Sequence, residues 1–373
     1  MKQQKTVLIC PLNWGLGHAT RDIPIVKRLR DAGCRVIIAT EAPLSTIFQE
    51  SFPGIETDYF PGPKIRYHKS GSLLWKLLLQ VPGMCYWLLK ERLAIKQLVR
   101  KYKPDCILSD NRYGVKHKNV YSIIITHQLM IKLPGLIRFL EKPLHLFVKW
   151  LIQAFDECWV PDNPRPDSLA GDLAHKYPFP ENAKLIGPIS RFMDNGDSVV
   201  QNRTDLTKYK NLVVLSGPEP QRSILKKLLI SQLSVIDEKS IILCGNPDEN
   251  QKTNEKMSDN LTFVPHLNPE KLRLLMSDCP TVICRSGYSS IMDLWFLKKS
   301  AILIPTPGQT EQEYLAEHNK NRHFYIRQED IPEKLIGSIG KNQVYSDAYC
   351  NQSLLQRAID TLLLRGDKNQ LHH

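Results

Sequence analysis

The sequence predicts an α/β protein of two Rossmann-like domains, and three observations carry that prediction. Its 373 residues exceed one ordinary core and suit two domains. Short apolar runs alternate with helix-period segments throughout, the pattern of parallel sheets with crossover helices. The runs also fall into two series, separated by a polar stretch at 191–210 with few apolar anchors.

The first series comprises 6–10, 35–39, 105–109, 122–126, 157–160 and 184–186; the second comprises 211–215, 240–244, 261–264, 281–284 and 301–304. This places a first domain at 1–195, a second at 210–345, and a C-terminal helix with tail at 346–373. Two such domains joined by a hinge near 191–210 are expected to leave a cleft, the usual place for a ligand.

Hydrophobic residues at 42% and charged residues at 24% exclude a disordered chain. The leading Met1-Lys2-Gln3-Gln4-Lys5 runs into an apolar strand with no h-region or cleavage pattern. No run reaches the roughly 18 apolar residues that a spanning helix needs. Nine cysteines, several inside apolar runs (Cys10, Cys106, Cys244, Cys284), fit reduced, buried thiols better than a disulfide framework. The expectation is a cytoplasmic protein.

The net charge of +12 is concentrated: residues 64–150 hold 17 Lys/Arg against 4 Asp/Glu. Within this region, 73–100 and 131–155 mix Leu, Trp, Phe and Tyr with cations, and Pro82-Gly83 and Pro134-Gly135 are expected to break them into short helices. Such segments suit an anionic membrane surface, so the protein is expected as a peripheral partner of the inner face of the cytoplasmic membrane. The other reading is core helices with apolar stripes. No nucleic-acid reading motif is present, and nucleic acid is not an expected partner.

After the first strand comes Asn13-Trp14-Gly15-Leu16-Gly17-His18-Ala19-Thr20-Arg21-Asp22. Gly15 and Gly17 allow a tight turn at the carboxyl end of a parallel strand, where α/β sheets bind ligands. His18 at the helix start is a candidate general base. Asp110, closing a strand in Ser109-Asp110-Asn111-Arg112, is the second candidate. Gly15-x-Gly17-His18 in this setting resembles the N-terminal loop of family 28 glycosyltransferases. The longer string, with SDNRYG at 109–114 and THQL at 126–129, is similar to a Bacteroidetes-type branch of that superfamily. The resemblance implies the GT-B fold, two Rossmann-like domains facing across a cleft. It also puts His127 and Gln128 on the acceptor side.

In the second half, Arg285-Ser286-Gly287-Tyr288-Ser289 makes a small-residue turn between an apolar run and a helix, suited to a diphosphate. Asp293 follows as a carboxylate for ribose hydroxyls. Gln309, Gln312 and Glu313 then crowd the loop and helix after 301–304 with groups that read sugar hydroxyls. These residues, in this order, resemble the donor-binding half of the family over 212–321. The resemblance puts Asp293 on the ribose, and Gln312 and Glu313 on the donor sugar. It brings the backbone of Val264 and His266 to the uracil, and Arg191 to the diphosphate. Ser216 and Gly217 open its phosphate loop, where Pro218, Glu219 and Pro220 replace small residues and Arg222 offers charge.

The implied activity is a metal-independent, inverting transfer of N-acetylglucosamine or another hexose from a UDP-sugar to a lipid-linked or glycan acceptor. No Asp-x-Asp motif appears, and no cofactor beyond the nucleotide-sugar donor is expected. The rival readings are a UDP-sugar 2-epimerase of the same fold, or a non-catalytic binder of sugar nucleotides or lipids.

Overall fold

The computed structural model describes residues 4–62, 73–193, 206–245, 255–256, 260–265, 267–341 and 353–365. The chain divides into two compact units, Met1–Pro188 with Asn351–His373, and Ile189–Cys350. The first unit contains the strands β1 (Thr6–Pro11), β2 (Arg35–Thr40), β3 (Glu56–Tyr59), β4 (Cys106–Asp110), β5 (Tyr121–Ile125), β6 (Glu157–Val160) and β7 (Ala183–Leu185). They form one parallel sheet in the order β3-β2-β1-β4-β5-β6-β7. Helices α1 (Leu16–Asp31), α2 (Leu44–Ser51), α3 (Leu73–Tyr102), α4 (Glu141–Gln153) and α5 (Asp172–His175) connect them. Val7 to Cys10 are at most 1% exposed, as expected of a parallel strand covered on both faces, which is why the run is apolar without alternation.

The second unit repeats the plan with β8 (Asn211–Val214), β9 (Ser240–Leu243), β10 (Glu255–Lys256), β11 (Leu261–Val264), β12 (Thr281–Cys284), β13 (Ile302–Leu303) and β14 (Phe324–Tyr325). Their order is β10-β11-β9-β8-β12-β13-β14, and only β10 runs antiparallel. Its helices are α6 (Gln221–Leu233), α7 (Pro269–Asp278), α8 (Tyr288–Phe296), α9 (Thr310–His318) and α10 (Ile331–Lys334). Asn268 caps α7, its side chain accepting from the Lys271 N–H at 2.9 Å.

The last helix, α11 (Ser353–Leu364), returns to the first unit. Leu355, Ala358, Ile359 and Leu362 are its buried stripe, and Lys5 Nζ donates to the Leu363 carbonyl at 2.8 Å. The expected break at Pro82-Gly83 is absent: α3 runs through both residues. Glu91, Ile95 and Leu98 are buried on its C-terminal half, and this tertiary anchorage outweighs the local cost of a proline. Among the described residues no helix is long and apolar enough to cross a membrane. The seven described cysteines are unpaired, and all but Cys244 are buried.

His323, 1% exposed just before β14, carries a testable cost. Burial, and next the Arg322 cation, push its pKa down to about 3. The unfolded chain therefore takes up this proton first as pH falls, so stability is lost below the ordinary histidine value of about 6.5. About 2 kcal/mol should disappear from this group between pH 7 and pH 5. Urea denaturation at the two pH values should show that loss in the wild type and a flatter dependence in His323→Asn. Equal dependence in both would refute the assignment.

Candidate active site

Because the strands of the first unit are parallel, the loops after β1, β4 and β5 emerge along one edge. Gly15, before α1, has φ 122°, where a side chain is strained. No side chain caps the helix behind it. His18 lies in the first turn, its side chain 17% exposed. Its Nδ1 is 2.8 Å from Asp110 Oδ2, at the end of β4. Arg21, one turn further along the same helix face, donates through Nε to that oxygen at 3.0 Å and through Nη2 to Oδ1. Arg21 Nη2 also lies 2.9 Å from His18 Nδ1.

An ionised carboxylate only accepts; with Arg21 Nη2 donating to Asp110 Oδ1 rather than to the ring, Nδ1–H points at Asp110 Oδ2 and Nε2 keeps its lone pair. Nε2 has no hydrogen bond among the described residues. Burial lowers the His18 pKa; Asp110 opposes the shift and Arg21 deepens it. The ring is therefore neutral at pH 7 and able to take a proton. Burial raises the pKa of Asp110, but Arg21 and then His18 outweigh it and hold the carboxyl below the ordinary range. Asp22 is 0% exposed, and neither of its oxygens has a hydrogen-bond partner among the described residues. Burial, then the Asp110 charge, raise its pKa well above the usual carboxylate value.

The loop behind Asp110 is clamped. Asn111 turns it with φ 56°, and Arg112 reaches Glu91 Oε1 of α3 at 2.8 Å and the Pro61 carbonyl at 2.7 Å. His127 is buried directly after β5, the neighbour of β4 in the sheet. The Gln128 N–H closes a turn on Thr126 Oγ1 at 3.1 Å. The structure thus brings His18, Asp110 and His127 together, and adds Arg21 and Asp22, which sequence reading passed over. The signal was present in the three-residue spacing from His18 to Arg21, which puts both on one helix face.

In the second unit the loops after β8, β9, β11, β12 and β13 share one edge in the same way. Ser216 and Gly217 follow β8, and Gly217 has φ 96°. Gly245, after β9, was not singled out by sequence; a Cβ there would lie 2.4 Å from the Leu215 carbonyl oxygen. Val264 ends β11 with its carbonyl accepting from the Cys244 N–H at 3.0 Å. His266 lies outside the described residues. Ser286 Oγ donates to the Gln312 carbonyl at 2.8 Å, and Gln312 Oε1 accepts from the Thr306 N–H at 2.9 Å. The Gln312 side-chain NH2 keeps no partner among the described residues. Glu313, exposed, holds the Gly308 N–H at 2.9 Å through Oε1. Gln309 precedes α9 with a buried Oε1 that has no partner among the described residues, and Ser289 lies in the first turn of α8, partly buried.

Several side chains expected on the donor are occupied by the protein itself. Arg285 is 1% exposed. Its Nη1 donates to the Ile304 and Pro305 carbonyls at 3.2 and 3.0 Å, and Nη2 to the Gln221 carbonyl at 3.0 Å. It therefore ties the loops after β8 and β13 together from beneath rather than presenting its charge to a ligand; burial lowers its pKa to about 10. Asp293, 3% exposed, accepts from Ser190 Oγ at 2.7 Å and Arg191 Nε at 2.8 Å. Each carboxylate oxygen already holds one of these donors, and at 3% exposure its remaining lone pairs are covered by the protein. Arg191 keeps its two outer nitrogens without a hydrogen bond among the described residues. Arg222 is spent on Glu219 Oε1 at 2.9 Å and the Gly245 carbonyl at 3.1 Å.

Gly287, which precedes α8, has φ −71°, open to any residue, and nothing lies within 4 Å of a Cβ built on it. Gly287→Ala should therefore melt at the wild-type temperature. If a diphosphate approaches that open space, the methyl should weaken UDP binding about tenfold, ~1.4 kcal/mol. Calorimetric titration checks this; undiminished affinity would place the phosphates elsewhere.

Residues 211–363 match the family model described as the glycosyltransferase family 28 C-terminal domain. Among solved structures, the glycotransferase of kitacinnamycin is 14% identical at TM-score 0.62, over 97% of this chain and 99% of that one. Spinosyn rhamnosyltransferase SpnG complexed with thymidine diphosphate is 13% identical at TM-score 0.61, over 96% of this chain and 95% of that one. The S. aureus MnaA–UDP co-structure is 12% identical at TM-score 0.61, over 96% of each chain. No curated protein matches. At such identities the structural matches carry the fold alone, and that fold is GT-B, two parallel-sheet Rossmann-like domains. The C-terminal family match supplies the class, a glycosyltransferase. The family 28 match is to residues 211–363, and the chain as a whole has the GT-B fold.

Proposed function

We propose that the protein transfers N-acetylglucosamine or another hexose from a UDP-sugar to a hydroxyl of a lipid-linked or glycan acceptor, with inversion and without a metal ion. The observation that carries this reading is the His18–Asp110 hydrogen bond, which leaves Nε2 as an unpaired base. As the acceptor oxygen bonds to the anomeric carbon, its proton passes to His18 Nε2. The bond from that carbon to the diphosphate oxygen breaks, and its electron pair leaves with UDP. Asp110 positions the ring and offsets the charge the imidazolium gains. In the second unit, the N–H groups opening α8 and the outer nitrogens of Arg191 meet the diphosphate. Asp293 orients Arg191, and the Gln312 amide donates to the sugar.

Work at the inner face of a cytoplasmic membrane fits two helical faces of the first unit. Phe139, Leu146, Phe147 and Trp150 are 43–74% exposed, on or just before α4 and opposite its buried residues His145, Val148, Leu151 and Ile152. Tyr86, Leu89 and Leu93 of α3 are also exposed. Lys90, lying 4.6 Å from the Trp87 ring centroid, and Arg92, Lys142 and Lys149 supply cations beside them. Aromatic and aliphatic groups flanked by cations suit an anionic lipid interface.

The test is a melting screen against nucleotides and nucleotide sugars, since a ligand of the native state raises Tm. It is followed by turnover of the stabilising donor with and without acceptor extracts, before and after chelation. Stabilisation by UDP and acceptor-dependent UDP release, unchanged by chelator, is the expected result. Conversion of UDP-N-acetylglucosamine to an isomer with no acceptor present would replace transfer by epimerisation.

A further inference from the structure

A second concave site lies in the first unit, at the opposite end of the sheet from His18 and Asp110. It is a cavity of about 670 Å³, bounded by α3, the loop before β5 and the segment between α4 and β6. Asp110 closes the C-terminal end of β4, whereas Ser122 and Asp156 mark the N-terminal ends of β5 and β6. A five-residue parallel strand separates the two edges by roughly 15 Å.

Four cations line the cavity, Arg92 and Lys96 from α3 and Lys116 and Lys118 from the loop, against the one carboxylate of Asp156. Asp156 already accepts from the Ser122 N–H at 2.8 Å. Lys116 donates to the Ala154 carbonyl, a neutral acceptor, at 3.0 Å. Burial, and next the neighbouring Arg92, lower the Lys116 pKa, and Asp156 opposes the shift. Arg92, Lys96 and Lys118 make no ion pair among the described residues.

We propose that this cavity binds a phosphate-bearing anion. Cations reaching one hollow from two separate elements suit a compact group with several charges and many acceptor oxygens, which a single carboxylate does not supply. A nucleic acid would call for a longer basic track. The phosphate can come from a soluble diphosphate or from a lipid headgroup, and neither source depends on glycosyl transfer.

The experiment uses the full chain and the double variant Lys96→Gln/Lys118→Gln, whose sites are exposed and whose melting should match the wild type. Pyrophosphate is titrated by calorimetry with UDP at saturation, so that any nucleotide site is already filled. In parallel, sedimentation is measured with phosphatidylglycerol vesicles and with phosphatidylcholine vesicles. Loss of two charge-assisted contacts should weaken anion binding at least about tenfold. A variant-sensitive pyrophosphate isotherm identifies a soluble source. Variant-sensitive sedimentation with phosphatidylglycerol alone identifies the lipid source. Binding of neither probe, or binding that the variant leaves unchanged, overturns the proposal.

Discussion

His18→Ala is expected to lower kcat by about 10²- to 10⁴-fold, the range that a general base contributes, with donor affinity close to that of the wild type. The contrast follows from geometry, because His18 sits in the first unit and the donor-type loops in the second. Asp110→Asn should come close to the same loss. An amide can turn its NH2 towards Nδ1, which would favour the tautomer that leaves Nε2 protonated and unable to accept. The variant also strips Arg21 of its carboxylate. In the wild type, burial and Arg21 lower the His18 pKa. The sign is therefore fixed: kcat/KM should be flat through neutrality and fall on the acid side with an apparent pKa below the ordinary 6.5. That limb should vanish in His18→Ala. A full-rate His18→Ala enzyme would remove this base from the mechanism, and a limb that survived the substitution would assign it to another group.

The second large effect concerns stability. Arg285→Leu should cost about 3 kcal/mol, because it leaves three carbonyls, two buried and one part-buried, without this donor at about 1 kcal/mol each. That is a substantial share of the roughly 5–15 kcal/mol that holds a domain together. The midpoint in urea should fall, and UDP should bind more weakly even in the folded fraction, because the loops around Gln221 and Pro305 lose their common tie. Arg285→Lys should recover part of the stability, since an ammonium keeps the charge but cannot span all three carbonyls. An unchanged midpoint would mean that those carbonyls find water instead.

Much of the architecture was legible in the chain because its central strands are buried on both faces and so read as unbroken apolar runs. The strands that sequence reading missed are those lacking that signal. β3 is Glu-Thr-Asp-Tyr at an edge, and β10 and β14 are two residues long. The first-unit site was half legible. His18 and Asp110 could each be named, but their contact depends on β1 and β4 being sheet neighbours, which spacing along the chain does not express. In the donor-type half, the residue types were right for phosphate and sugar while their local duties were hidden. Arg285 looks like a ligand for an anion until its three carbonyl partners are seen. Asp293 looks like a ribose acceptor until Ser190 and Arg191, about a hundred positions earlier, are seen bonded to its oxygens.

The burial of the imidazole, with Arg21 beside it, sets the timing of the proposed reaction. Burial outweighs the basicity that Asp110 lends the ring, and Arg21 deepens the loss. A base so weakened scarcely ionises a resting alcohol. It becomes competent once the nucleophile has begun to bond to carbon and its hydrogen has turned acidic. Proton removal would then lag behind glycosidic bond making, and a solvent-isotope effect on turnover would report that order of events.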